Sequence, residues 1–156
     1  MIEFTFRVEG DLARIRIPTP SAARFAAGLW QHTCFEAFLA IEGRAEYHEL
    51  NFAPSGEWAA YAFRAYRDGG LLADEMLAPS ITLHATDRGF KLDAVARLER
   101  LSPLHPSAPL RLGLAAVIEA SDGTLSYWAL RHHGDKPDFH DAGGFALRLE
   151  SPPSRC

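Results

Sequence analysis

Alternation of apolar and polar residues is the feature that most constrains what this chain can fold into. It is already clear at the start, where Ile2, Phe4, Phe6 and Val8 alternate with polar residues. Such a period of two predicts a β-strand with one buried face, because successive side chains of a strand point to opposite faces. Helical periodicity is scarce, and Ser21–Leu29 predicts no more than a short helical turn.

Strand-like segments recur along the whole chain and are separated by turn residues such as Asp68-Gly69-Gly70 and Ser121-Asp122-Gly123. Parallel strands need long crossovers that are usually helical, and none is predicted here. We therefore expect an all-β fold, an antiparallel sandwich or barrel, with one domain at residues 1–150 and a loose tail at 151–156. Ten strands are predicted: Ile2–Val8, Leu12–Ile17, Thr33–Glu42, Glu46–Ala53, Glu57–Tyr66, Ser80–Thr86, Phe90–Leu98, Leu110–Ala120, Thr124–His132 and Phe145–Glu150.

Composition excludes several classes of function. The net charge is −4 and the chain has only two lysines, Lys91 and Lys136, so nucleic-acid binding is not expected. No apolar run approaches the roughly 20 residues of a membrane helix, and Met1 leads directly into a strand pattern without a signal segment. We interpret Cys34 and Cys156 as free thiols, and expect a cytoplasmic location without membrane association.

Polar residues on the central strand segments are candidates for binding a ligand. In Thr33–Glu42, Glu36 shares a face with Cys34 and Phe38, whereas Phe35, Ala37 and Leu39 form an apolar face. Carboxylates, amides and guanidinium groups beside aromatic rings suit a sugar, whose hydroxyls take hydrogen bonds and whose C–H faces stack on rings. Solvated cross-strand pairs are the alternative interpretation. If the polar faces adjoin, one concave surface is predicted to contain Glu36, Tyr47, Glu49, Asn51, Trp58 and Arg64.

A second polar cluster lies near the end of the chain and includes three histidines, His132, His133 and His140. Together with Asp138 and Asp141 they could ligate zinc or a similar metal, although their spacing matches no structural zinc signature. A histidine paired with Met76 would be an alternative set of haem ligands, although the chain has no C-x-x-C-H attachment motif. The cluster could equally order a surface loop by hydrogen bonding.

Motifs of common enzyme classes are absent from the sequence. It contains no G-x-S-x-G, no P-loop and no G-x-G-x-x-G. Glu36 and Glu49 could in principle serve as the two carboxyl groups of a glycosidase. Nothing in the sequence fixes their separation, so we expect a protein without catalytic residues and without a cofactor.

Two neighbouring stretches, LWQHTCFEAFL at 29–39 and YHELNFAPSGEW at 47–58, resemble the DOMON-like group related to family 9 carbohydrate-binding modules. YWALRH at 127–132 and KPDFH at 136–140 fit the closing strands of that group. The resemblance implies a jelly-roll-like sandwich that binds a sugar or haem in a pocket on one sheet. It assigns ring stacking to Trp30, hydrogen bonding to Glu36, and further contacts to Asp138, Phe139 and His140.

These observations together predict a non-catalytic module for a small carbohydrate-like ligand. Trp30, Glu36, Glu49, Asn51 and Arg131 carry this interpretation, and His132 belongs to the same candidate surface. Haem or metal binding through the histidine cluster, with a contribution from His48, is one alternative. An accessory domain with a protein partner is another.

Overall fold

The computed structural model of this protein describes residues 1–151. The predicted loose tail, including Cys156, lies outside this range except for its first residue. Cys34 is a buried free thiol. Within residues 1–151, no helix combines the length and apolar character needed to cross a membrane.

Residues 1–151 form eleven strands and one short helix, α1 (Leu98–Leu101). The predicted all-β fold is confirmed, and nine of the ten predicted strand segments contain a strand. The strands are β1 (Ile2–Glu9), β2 (Arg24–Phe25), β3 (Cys34–Ile41), β4 (Tyr47–Phe52), β5 (Glu57–Ala65), β6 (Asp68–Leu71), β7 (Ser80–Thr86), β8 (Gly89–Ala96), β9 (Leu110–Glu119), β10 (Leu125–Ala129) and β11 (Leu147–Leu149).

These strands form a sandwich of one small and one large sheet. The small sheet has the order β1-β8-β7, and the large sheet has the order β10-β9-β3-β4-β5-β2, with β11 beside β9 and β6 beside β5. All pairs are antiparallel, as predicted, except β2 with β5, which is parallel. In the centre of the large sheet, Glu36 of β3 pairs with Asn51 of β4, and Phe38 pairs with Glu49.

The main core lies between the two sheets and is filled by the apolar faces of β3 and β4. Phe35 and Leu39 of β3 pack there with Phe52 of β4, and Phe4 and Leu92 of the small sheet meet them. All five side chains are at most 4% exposed. The apolar face predicted for β3 is therefore confirmed, and the polar face of β3 and β4 is turned away from the small sheet.

Two sequence predictions before β3 are wrong. Leu12–Ile17 is not a strand, because Leu12–Arg14 forms a short 3-10 helix. The Asp11 carboxylate caps its N-terminus by accepting a hydrogen bond from the Ala13 backbone N–H. Only Ile15 makes a β-bridge, to Ala120. The expected helical turn at Ser21–Leu29 is instead interrupted by β2, which is held against β5 by parallel pairing.

The turn after β5 also differs from the prediction. Asp68-Gly69-Gly70 belongs to β6, and the chain reverses at Arg67, whose φ of 54° lies in the left-handed region. Gly69 is required for this hairpin, since a Cβ there would lie 2.0 Å from the carbonyl oxygen of Ala62. The reversal brings Arg67 beside the polar face of the large sheet.

A buried histidine pair lies at the edge of the main core. His48 of β4 and His105 contact each other edge to face, with ring centroids 4.9 Å apart. Each Nδ1 atom is buried without a hydrogen-bond partner within residues 1–151. Burial, with a smaller contribution from the nearby His48, lowers the pKa of His105 to about 4. Both histidines are therefore neutral in the folded protein at neutral pH.

We predict that His105→Phe protects the protein against acid. A histidine with a lowered pKa binds fewer protons when folded than when unfolded, so wild-type stability falls as the pH drops from about 6.5 towards 4. The free energy of unfolding of the variant relative to wild type should rise by roughly 1–2 kcal/mol between pH 8 and pH 5. Chemical denaturation at both pH values measures this. His84→Phe, at a side chain that is 49% exposed, serves as the control and should show no comparable gain.

Candidate functional site

The polar face of the large sheet is covered by the segment between β10 and β11. Phe145 of this segment packs on Phe38 and Tyr47, with ring centroids 5.7 Å away in both cases. Gly113 of β9 makes room for it, because a Cβ at this position would lie 2.8 Å from the Phe145 ring. This second apolar cluster holds the segment against the sheet and leaves a cavity beside it.

We call this space the outer cavity; its volume is about 530 Å³, within the range of small-molecule sites. Carboxyl groups of Glu36 and Glu49 form its floor. Arg67 and His140 lie on one side of it. Aromatic rings supply most of the remaining wall: Trp30, Tyr61, Phe63, Tyr127 and Phe139.

The floor consists of polar side chains that are almost completely buried. Glu36 is 3% exposed, Glu49 is 4% exposed and Asn51 is 0% exposed. Both polar atoms of the Asn51 side chain lack a hydrogen-bond partner within residues 1–151. Buried polar groups in folded proteins nearly always have partners, and leaving one unsatisfied costs about 1–3 kcal/mol. The floor therefore combines two carboxyl groups that line the outer cavity with a buried amide that neighbours them in the sheet.

Burial also changes the charge of this floor. It raises the pKa of Glu49 to about 7, an effect that the Asn51 amide and the Arg67 charge partly offset. Burial raises the pKa of Glu36 well above its usual value, and the charge of Glu49 raises it further. At neutral pH the two carboxyl groups consequently share at least one proton, so they can donate as well as accept hydrogen bonds.

His140 is held in the wall by the protein itself. The Tyr47 hydroxyl lies 2.8 Å from His140 Nδ1 and accepts a 3.0 Å hydrogen bond from the backbone N–H of Arg67. His140 Nε2 lies 3.6 Å from Glu49 Oε2. Burial lowers the pKa of His140 to about 4, so the ring is neutral. Both ring nitrogens face protein groups, which makes His140 a structural part of the wall.

Charged groups at the rim tie the β5–β6 turn to the covering segment. Arg67 Nη2 donates a 2.8 Å hydrogen bond to Asp138, and the Tyr66 hydroxyl donates to the other Asp138 oxygen. Asp138 also accepts the backbone N–H of His140 at 3.1 Å. The charge of Arg67 is thus already paired at the mouth of the outer cavity.

Trp30 lies on a 3-10 turn, Leu29–Gln31, at the other side of the cavity. Its side chain is 50% exposed, and the preceding Gly28 backbone N–H donates to the Tyr61 hydroxyl at 3.5 Å. Across the cavity, Tyr127 and Phe139 contact each other with centroids 6.1 Å apart. Exposed, positioned rings of this kind can stack on a flat ligand face.

The structure brings eight of the twelve predicted site residues together. Five line the outer cavity, namely Trp30, Glu36, Glu49, Phe139 and His140. Tyr47, Asn51 and Asp138 surround these residues and contact or neighbour them.

The remaining four do not line the outer cavity, although the His132 ring contacts Phe139 of its wall. Trp58 is 3% exposed and belongs to the main core, because it pairs with Phe52 on the opposite face of the sheet. Arg64 is exposed and pairs with Asp68 at 3.0 Å. Arg131 and His132 follow the end of β10, which stops at Ala129, and both are exposed.

Eight further lining residues of the outer cavity were absent from the predicted site, and four of them carry aromatic or charged side chains: Tyr61, Phe63, Arg67 and Tyr127. The sequence does indicate Tyr61 and Phe63, since these two aromatic residues lie on the same face of the predicted strand Glu57–Tyr66. Which face of this strand adjoins the site depends on the strand register, and the pairing of Glu49 with Tyr61 places the Tyr61 face there. Arg67 carries no sequence signal, since its position depends on where the hairpin reverses.

The histidine cluster does not converge in the described chain. His133 pairs with Asp141 at 3.1 Å, and the His132 ring stacks on Phe139 at 6.2 Å. Across residues 1–151, no group of three or more His, Cys, Asp or Glu side chains is arranged to hold a metal ion. His48 lies on the opposite side of the sheet, beside His105.

No protein-family model, curated protein or solved structure matches this chain. Its resemblance to DOMON-like domains therefore stays a prediction. The outer cavity has to be interpreted from its own chemistry.

We predict that Glu49→Gln stabilises the fold at high pH. A carboxyl group with a raised pKa binds more protons when folded than when unfolded, so wild-type stability falls as the pH rises from about 4.5 to 7. The free energy of unfolding of the variant relative to wild type should increase by roughly 1–3 kcal/mol between pH 4 and pH 8. Urea titrations at the two pH values measure it. The raised pKa of Glu49 would be contradicted if the difference in free energy of unfolding between variant and wild type did not change with pH. It would also be contradicted if the exposed control Glu3→Gln showed the same change.

Tyr47→Phe should loosen the covering segment. The substitution leaves the Arg67 N–H and the His140 ring without their shared partner, at a cost of about 1–2 kcal/mol in the free energy of unfolding. Denaturant unfolding gives this value, and amide hydrogen exchange at residues 66–67 should become faster. Tyr127→Phe is the matched control. Equal behaviour of the two variants would argue against the bridging role.

Proposed function

We propose that this protein is a non-catalytic binding module whose outer cavity takes a small carbohydrate-like ligand. One observation carries the proposal: the carboxyl groups of two almost completely buried glutamates, Glu36 and Glu49, line the floor of an open cavity. A protein that retains such groups at a cost to its stability has a reason to do so, and a ligand that satisfies them is the simplest one.

The chemistry of the floor suits hydroxyl groups. A hydroxyl donates one hydrogen bond and accepts two, and the Glu36–Glu49 pair with its shared proton offers both partners. A ligand with several neighbouring hydroxyls could engage both carboxyl groups at once.

The aromatic wall suits the flat faces of a sugar ring. Trp30 is the ring most accessible to a ligand, and Tyr61, Tyr127 and Phe139 offer further faces. This agrees with the stacking role that the resemblance to carbohydrate-binding modules implies for Trp30. The buried thiol of Cys34 is compatible with the reducing, cytoplasmic location that the sequence predicts.

The test is a panel of monosaccharides and disaccharides in a thermal-shift assay, followed by calorimetry. A ligand that binds only the folded protein must raise its stability. Trp30→Ala should weaken binding of a sugar that stabilises the protein by roughly 10-fold, since ring stacking is worth about 0.5–1.5 kcal/mol beyond the buried area. Trp128→Ala is the control, because Trp128 is 63% exposed and belongs to the other face of β10.

Two results would overturn the proposal. One is a panel in which no sugar shifts the melting temperature. The other is a sugar whose affinity is reduced equally by Trp30→Ala and Trp128→Ala, since that sugar would not occupy the outer cavity.

The carboxyl pair also favours a second candidate, a glycosidase site. Glu49 has a pKa of about 7, which suits a general acid. Glu36 and Glu49 are diagonal neighbours on β3 and β4, so their Cα atoms lie roughly 7–8 Å apart. Carboxyl groups about 5–5.5 Å apart serve retaining enzymes and about 6.5–9.5 Å apart serve inverting ones, and side chains at diagonal positions of one sheet face can reach such separations. Release of nitrophenol from aryl glycosides, abolished in Glu49→Gln, would establish this function in place of simple binding.

A further inference from the structure

Acidic side chains predominate at the floor of the outer cavity. Glu36 receives no hydrogen bond or ion pair from any side chain in residues 1–151, and Glu49 has only the neutral ring of His140 at 3.6 Å. Arg67 is the one lysine or arginine among the lining residues, and Asp138 already pairs with it at the rim. The described residues therefore supply no free cation to stabilise the Glu36 and Glu49 carboxyl groups when both are ionised.

Glu36 is a further sign that a ligand group belongs here. Its side chain is 3% exposed and lines the outer cavity without a side-chain partner among residues 1–151. Asn51, which pairs with it across the strands, is 0% exposed and does not line the cavity. The carboxyl groups of Glu36 and Glu49 are therefore the acceptors that the floor presents to a ligand.

Aromatic rings around this floor add a second form of attraction for a cation. The faces of Trp, Tyr and Phe rings carry partial negative charge, and they attract a cation that lies within about 6 Å of a ring centroid. Trp30, Tyr61, Phe63 and Tyr127 line the same cavity as the carboxyl groups. Acidic groups beneath aromatic walls are the combination that binds ammonium groups.

We infer that the ligand carries a protonated primary amine, and that this amine binds at Glu36 and Glu49 in the floor of the outer cavity. The inference rests on the proposed function and narrows it to amino sugars. An ammonium group has three N–H donors and no acceptor, which matches the acceptor oxygens of the two carboxyl groups. A neutral hydroxyl would satisfy fewer of them. When the amine binds, a carboxyl group that was protonated releases its proton to solvent, and the ion pair replaces it.

Four small molecules test the contribution of the amine independently of the contribution of the hydroxyl groups. Glucosamine carries both features, and glucose keeps the hydroxyls without the amine. N-acetylglucosamine keeps the nitrogen but removes its charge. Cyclohexylamine keeps the amine and a six-membered ring without hydroxyls. Isothermal titration calorimetry with the intact protein gives the four affinities at one pH and salt concentration.

We expect glucosamine to bind about 10-fold or more tightly than glucose and N-acetylglucosamine, because hydrogen bonds to charged groups are stronger than neutral ones. Glu36→Gln and Glu49→Gln should each remove most of this preference. Glu46→Gln removes a negative charge just before the same strand, β4, at an exposed position, and should leave the preference intact. Circular dichroism of each variant checks that it is folded, and the ligand comparison on wild type needs no variant.

The possible failures are distinguishable. Glucose that binds as tightly as glucosamine would overturn the amine inference and leave the sugar proposal standing. Cyclohexylamine that binds as tightly as glucosamine would support the amine and overturn the sugar proposal, since the hydroxyls would contribute nothing. A preference for glucosamine that survives both Gln variants would overturn the assignment to this floor.

Discussion

Burial of β3 and β4 on both of their faces is the constraint on which the rest of the structure depends. One face carries Phe35 and Phe52 into the core between the sheets. The other face carries Phe38 and Tyr47 beneath the segment that connects β10 to β11. An antiparallel sheet commonly exposes one face to water, and that face then needs no specific partner. Here the second face is covered, so each polar residue on it must be satisfied, neutralised or left for a ligand.

The covering segment creates the candidate site by excluding water from it. Dense aromatic contacts hold the segment, and the Tyr47 hydroxyl links it to the β5–β6 turn. Low exposure then raises the pKa of Glu36 and Glu49 and strengthens every electrostatic interaction at the floor. The same burial that costs stability also strengthens the interactions that the two carboxyl groups can make with a ligand. Stability and binding are therefore expected to oppose each other at these positions.

The sequence predicts correctly those features that depend on neighbouring residues, and it fails where contacts between distant residues decide the outcome. The two faces of β3 were predictable, because alternation is a property of neighbouring residues. The choice of Trp58 over Tyr61 as a site residue was wrong, because β5 carries aromatic residues on both of its faces. Only the pairing of Glu49 with Tyr61 decides which face of β5 adjoins the polar face of β4. A register shift of one residue would have exchanged the two faces.

The sequence by itself determined that the chain forms strands, where most of them lie, and that glutamates interrupt otherwise apolar central segments. These properties follow from local periodicity and turn chemistry. Tertiary structure alone decided that the segment after β10 covers the large sheet, because this depends on Phe145 fitting over Gly113, 32 residues away in the chain. It also decided that the two glutamates are buried rather than solvated. Contacts between distant residues are set by shape and packing, which no local pattern encodes.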